Sequence, residues 1–151
     1  MLENRFTDQN KRLSDFQNEV WVHCPQCQKQ AFARRFAETK SARLTCSHCG
    51  YHKEETTQMP YKHGATYELV QAAHAYFDAQ LWFKVPFKND VFWAYNLEHL
   101  NYLEAYIAAK LREHQDRTHF TLLEKLPKFY HEAKNRAPLL KLIEKLKEKR
   151  L

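Results

Sequence analysis

Two periods of apolar and polar residues divide the chain. From residue 31, "AFARRFAE" and then "ARLT" place apolar side chains at every second position, and "YHKEETT" can add a third strand after Gly50. Farther on, "LWFKVPFKNDVFWAYN" has β-rich runs at 81–87 and 91–95 on either side of Lys88-Asn89-Asp90, which has turn chemistry. This predicts a hairpin in which Pro86 marks an unpaired edge. The period then lengthens. Asn96 is placed to cap a helix from about Leu97 to His114, with Leu100, Leu103, Ile107 and Leu111 on one face and Tyr102 and Tyr106 as a second stripe. Glu98 and Glu104 near its start, and Lys110 and Arg112 near its end, suit the helix dipole. Thr121-Leu122-Leu123-Glu124 matches a capping box that Pro127 soon interrupts, so a short turn and a restart near Lys128 are expected. Asn135 can cap a last helix carrying Pro138 in its first turn and the stripe Leu139, Leu142, Ile143 and Leu146.

Elsewhere the pattern is less decisive. Leu2, Phe6, Leu13 and Phe16 have approximate helical spacing, which predicts a short helix or an ordered arm. "TYELVQAAHAYF", within 61–80, suits helix and strand equally. Trp82, Phe83, Phe92, Trp93 and Tyr95 read as core, or as a platform on which bases could stack. The resulting expectation is an α+β protein: an N-terminal helix or arm at 1–20, a three-stranded antiparallel unit at 21–58, and a part at 59–151 made of a β-hairpin followed by about three helices.

Composition agrees with a folded chain, since 44% of residues are hydrophobic and 14% aromatic, while two glycines leave little room for flexible linkers. The charged opening "MLENRFTDQNKRL" lacks the apolar run of a secretion signal, and no stretch of about 18 apolar residues occurs. A cytoplasmic location without a membrane partner is the expectation. The formal charge of +6 is concentrated at 21–60, which carries +3, and at 101–151, which carries +5. Such basicity fits an acidic partner such as nucleic acid, or simply a solvated surface.

Chemistry concentrates in four thiols. Cys24, Cys27, Cys46 and Cys49 form C-x2-C-x18-C-x2-C, a spacing that lets two tight turns aim four sulfurs at one ion. Gly50 follows the second pair, where a positive φ is wanted, whereas the equivalent position after the first pair is Gln28, which must adopt that conformation at a cost or use another turn. Structural zinc is the leading reading, which makes 21–58 a three-stranded zinc ribbon. Disulfides would need an oxidising compartment, and a glutaredoxin-like redox site, suggested by "CPQC", would need only one pair set between a strand and a helix. His23, His48 and His52 read as outer or surface groups rather than ligands. Four thiolates around one divalent ion carry a formal −2 and would lower the net charge to about +4, with Lys29, Arg43 and Lys53 close enough in sequence to offset it. A filled S4 site has no place for water, which argues against a zinc hydrolase.

"CPQC…CSHCG" resembles the zinc ribbon of transcription factor TFIIB. The later stretches "FWAYNLEHLNYLEAYIAAKLRE", "LEKLPKFYHEAKNR" and "LIEKLKEK" are similar to an uncharacterised group of bacterial TFIIB-type zinc-ribbon-containing proteins. The resemblance implies a small bacterial protein with an N-terminal ribbon and a C-terminal part of unassigned role, and it brings no catalytic residues. Nothing in the sequence matches a nucleophile elbow, a phosphate-binding glycine loop or a zincin helix, and no small-molecule substrate is evident. A non-catalytic module is therefore expected. It would bind nucleic acid through Arg34, Arg35, Lys40, Lys141 and Lys145, or dock on a larger protein complex through the ribbon or the aromatic hairpin. For the same basic residues, an exposed strand face or a solvated helix face is the plainer alternative.

Overall fold

A computed structural model describes residues 5–7, 11–109, 111–113 and 126–149 of the chain. Its elements in order are β1 (Arg5–Thr7), a 3-10 turn (Leu13–Asp15), β2 (Glu19–His23), β3 (Gln30–Phe36), β4 (Ser41–Thr45), β5 (His52–Thr56), β6 (Gln58–Pro60), a 3-10 turn (Lys62–Gly64), β7 (Thr66–Glu68), a 3-10 helix (Ala73–Phe77), β8 (Phe83–Phe87), β9 (Asp90–Ala94), α1 (Leu97–Ala108), β10 (Leu111–Glu113), two 3-10 turns (Lys128–Tyr130 and Ala133–Asn135) and α2 (Arg136–Lys147). The class is α+β, with antiparallel strands dominating and two α-helices among the described residues.

The central unit is an antiparallel sheet in the order β2-β3-β4-β5. The period-two pattern had accounted for three of these strands; Glu19–His23 adds a fourth at the edge, with Val20 and Val22 turned inward. Val20, Val22, Ala31, Ala33, Ala42 and Leu44 are all wholly buried. The three alanines keep that face shallow, and the 3-10 helix Ala73–Phe77 packs against β2, β3 and β4. The ambiguous stretch therefore resolves into both structures: Thr66–Glu68 is a strand and Ala73–Phe77 a helical turn.

The outer edge of β2 is covered by chain from either side of the second hairpin. Trp21 donates to the Tyr95 carbonyl at 2.7 Å, Trp82 donates to the Trp21 carbonyl at 2.8 Å, and His23 donates to the Gln80 carbonyl at 2.9 Å. A bridge between Val22 and Leu81 completes this seam. An edge so occupied cannot recruit a foreign strand.

Strands β8 and β9 form the expected hairpin, closed by Lys88 and Asn89 between the paired residues Phe87 and Asp90. Pro86 sits opposite Val91, next to the closing pair. In the alternation of an antiparallel ladder this is the position whose amides point away from the partner, so the missing N–H costs no ladder bond. Trp82, Phe83, Phe92 and Tyr95 are buried and Trp93 half-buried, which makes the aromatic run core. Phe87 stacks on Phe129 at 5.6 Å, and Phe92 meets Tyr130 at 5.5 Å. One continuous apolar cluster joins the sheet, this hairpin, α1 through Leu100, Leu103 and Ile107, and α2 through Leu139, Ile143 and Leu146.

Two expectations are corrected. The helix from Leu97 ends at Ala108, not His114, because Ala109 turns extended (ψ 133°) and Leu111–Glu113 pairs in parallel with Arg5–Thr7. Tertiary pairing there overrides local helix preference. Arg112 thus lies on a strand, and Lys110 and the Thr121 capping box fall outside the described residues. At the N-terminus, where a short helix or an ordered arm was expected, the described residues form a strand and a 3-10 turn, with Phe16 buried; Leu2 lies outside the described residues. Asn135 precedes α2 but does not cap it, since its side chain is committed elsewhere: Oδ1 accepts from Lys88 at 2.5 Å and Nδ2 donates to the Phe129 carbonyl at 3.1 Å.

Asn96, by contrast, does cap α1, accepting from the His99 amide at 2.8 Å. Its Nδ2 also donates to the carbonyls of Phe16, at 3.0 Å, and Glu19, at 2.7 Å, so one buried side chain joins the helix start to the entry of β2. Asn96→Ala should cost about 2–3 kcal/mol, a lost cap plus buried carbonyls left without donors. Asn96→Asp keeps the cap acceptor but faces two carbonyl oxygens with a carboxylate, and should be at least as unstable in urea denaturation.

His99 lies beneath this cap, buried and stacked on Phe16 at 4.8 Å. Its Nδ1 accepts from the Tyr95 amide at 3.0 Å, and burial lowers its pKa to about 4. Above pH 6.5 the ring is neutral folded or unfolded and contributes no pH dependence. Below that, the unfolded chain takes up a proton that the folded form refuses, so stability falls as pH drops towards 4. Relative to pH 7.5, the metal-saturated protein should lose about 1.4 kcal/mol through this group at pH 5.5. Denaturation of His99→Gln at the two pH values should show that increment missing.

Candidate metal centre

Each cysteine pair sits in a loop that joins two strands of the sheet: Cys24 and Cys27 between β2 and β3, Cys46 and Cys49 between β4 and β5. The two loops have matching hydrogen bonds. In the first, the Cys24 amide donates to the Lys29 carbonyl at 2.7 Å and the Gln28 amide to the Cys24 carbonyl at 2.9 Å. In the second, the Cys46 amide donates to Tyr51 at 2.9 Å and Gly50 to Cys46 at 3.0 Å. Both turns need a left-handed residue at the same place, and φ is 67° at Gln28 and 79° at Gly50. The weak point of the sequence match thus resolves as the same turn made by a residue bearing a side chain, at a steric cost on the order of 1 kcal/mol. A Cβ on Gly50 would touch nothing within 4 Å, so glycine there serves φ alone.

All four sulfurs lie within 4.8 Å of one another. The Cys24–Cys49 and Cys27–Cys46 Sγ separations are both 3.6 Å. Four sulfurs about 2.3 Å from a tetrahedral ion would be about 3.8 Å apart, whereas a disulfide needs about 2.0 Å. The thiols are free cysteines, and the set is compatible with one metal ion. The first pair lies between two strands, with no helix behind it as the redox alternative requires. The Gln26 amide points at the Cys24 sulfur from 3.3 Å, as suits a thiolate.

Without a cation the sulfurs compete for protons. At Cys46 burial acts to raise the pKa, but the amides of Cys49 and His48 and the neighbouring sulfurs prevail and bring it to about 7. At Cys27 the Lys29 amide lowers the pKa, yet burial and the sulfurs of Cys46, Cys49 and Cys24 push it up to about 12. Cys49 is also raised: burial and Cys24 outweigh the Tyr51 amide. A divalent ion removes this conflict by taking the place of the shared protons.

Around the cluster, His23 lies outside the ligand set. Its Nδ1 is 3.2 Å from the Gln28 carbonyl, its ring packs on Trp82 at 4.7 Å, and its Nε2 is 3.2 Å from the Lys149 ammonium. Sequence reasoning placed His23 in an outer layer but missed Trp82 and Lys149; Lys149 stands 126 positions from His23, beyond any spacing motif.

The basic candidates are placed as follows. Arg34 donates to Glu19 at 2.8 Å, and Arg35, only 11% exposed, donates to Glu68 at 2.8 Å. Arg43, expected to offset the thiolates, instead donates to Glu54 at 2.9 Å and lies over the Phe36 ring. Register aligns Glu19, Arg34, Arg43 and Glu54 in one row across the four strands, a charge-balanced ladder. Lys40 is exposed in the β3–β4 turn, with φ 50°. Lys141 and Lys145 are exposed on α2, where Glu144 and the C-cap residue Glu148 are exposed as well.

The purified protein should contain one metal ion per chain by elemental analysis. Cys46→Ser should abolish stoichiometric loading, and chelation should lower the melting temperature, since the ion's binding free energy contributes to folding.

No protein-family model matches the chain, and neither a curated protein nor a solved structure matches it significantly.

Proposed function

We propose that the protein is a non-catalytic module, built on one structural zinc ion held by Cys24, Cys27, Cys46 and Cys49, that docks on a larger protein complex. Thiolate sulfur in a tetrahedral set suits zinc, and four protein ligands leave no position for a reacting water. Among the described residues the four cysteines are the one group of three or more potential ligands brought together. The matching knuckles and the strands between them support the TFIIB-type ribbon reading of the sequence.

The observation that carries the docking reading is the hairpin of β6 and β7. Tyr61 is 62% exposed and Tyr67 49%, and Val70, just beyond the end of β7, is 56% exposed; these are half of the large hydrophobic side chains that lie exposed among the described residues. Tyr61 and Tyr67 meet edge to face at 6.1 Å, and the hairpin is anchored at its root, where Glu68 accepts from Arg35 and Thr57. Exposed aromatics on a braced arm are what a protein partner desolvates most favourably. The arginines first assigned to phosphate contacts are engaged with carboxylates.

A co-purification from native cells, treated with nuclease, should retain a stoichiometric protein partner, and the double variant Tyr61→Ser, Tyr67→Ser should lose it while melting within about 0.5 kcal/mol of wild type. Exposed Lys40, Lys141 and Lys145 favour nucleic acid as the second reading. That reading requires DNA or RNA affinity that falls steeply with salt and no nuclease-resistant protein partner.

A further inference from the structure

The end of α2 returns to the first cysteine loop. Lys149 lies just past the helix C-cap at Glu148, and its ammonium makes three contacts there. It donates to the Trp82 carbonyl at 2.8 Å, lies 4.0 Å from the centre of the Trp82 ring, and reaches His23 Nε2 at 3.2 Å. Such a contact set is unlike that of a solvated lysine. A cation over an indole face, with its protons directed at a carbonyl and an imidazole nitrogen, has exchanged much of its water for protein.

The partners fix the histidine as well. An ammonium can only donate and a carbonyl can only accept, so a ring held between Lys149 and the Gln28 carbonyl must carry its proton on Nδ1 and a bare lone pair on Nε2. Gln28 is the left-handed residue of the first cysteine loop, and its amide closes that loop on the Cys24 carbonyl at 2.9 Å. An unbroken series of polar contacts therefore runs from the Cys24 loop through Gln28 and His23 to Lys149 and the end of α2. Lys147, two residues earlier, bonds Glu104 of α1 and holds this end of the helix from its other side.

We propose that Lys149 is a positioning residue for the metal centre, latching the end of α2 onto the first cysteine loop so that metal retention and helix docking are coupled. The inference rests on the zinc reading above. A filled site holds Gln28 in its left-handed form and its carbonyl towards His23, which presents Nε2 to Lys149. In the other direction, the docked helix holds His23 and Gln28 in place and resists opening of the Cys24–Cys27 loop. Reciprocity is required: if metal favours docking, docking favours metal by the same factor. Burial also lowers the Lys149 pKa from its ordinary value, as removal of an ammonium from water should.

The test uses the full-length, zinc-loaded chain. Lys149→Met keeps the alkyl stem over Trp82 but removes the charge and the donors; Lys145→Met, on the exposed side of the same helix, is the control. Zinc release to a chromophoric chelator should be about tenfold faster in Lys149→Met, the scale of losing a group behind a ligand set, and unchanged in Lys145→Met. Amide exchange along α2 should quicken on zinc removal in wild type, and already be quick in zinc-loaded Lys149→Met. Equal release rates for wild type and Lys149→Met, or equal acceleration by Lys145→Met, would overturn the latch and leave the zinc reading standing. A wild-type chain that binds no zinc at all would overturn both, and the loading step reveals this before any variant is compared.

Discussion

Crowding of sulfur is the constraint on which the molecule turns. Four thiols within 4.8 Å cannot all ionise beside one another, and the apolar residues nearby offer no charge to balance them. Backbone amides favour the thiolate at Cys46, Cys27 and Cys49 alike, but burial and the sharing of protons among the sulfurs leave Cys46 lowered and Cys27 and Cys49 raised. One divalent cation would satisfy all four as thiolates together. The loops that converge on this point are the connections between the strands, so an ion held there would also fix the sheet.

What distinguishes the fold is how fully the sheet is absorbed into the rest of the chain. Its edge strand β2 is bonded to residues on both sides of the second hairpin, its inner face is closed by the turn at Ala73–Phe77, and Asn96 ties its entry to α1. The apolar cluster crosses these elements without a break. A short cysteine-rich segment has too little apolar surface to stand alone, and here it draws on the helices for the remainder.

The sequence made the metal-binding spacing, the second hairpin and the cap at Asn96 legible because each depends on residues close together along the chain. C-x2-C is a local turn, Lys88-Asn89 a local reversal, and Asn96 bonds an amide three residues away. What was not legible depends on distant partners. Leu111–Glu113 follows a strong helical pattern and becomes a strand only because Arg5–Thr7 lies beside it. Asn135 has the right chemistry for a cap, but Lys88, 47 positions earlier, takes its oxygen. Arg34 and Arg35 read as available cations until register set Glu19 beside the one and folding brought Glu68 to the other. Period and spacing say what a residue can do locally, whereas its competitors for each hydrogen bond are named only by the tertiary structure.

The two cysteine turns have the same bonds but not the same residue at their sharpest point. Gly50 occupies its conformation freely, while Gln28 carries a Cβ into a region that L residues avoid. The centre is therefore lopsided: its fragile half is the one with a side chain at the bend, and that half is also the one buttressed from the far end of the polypeptide.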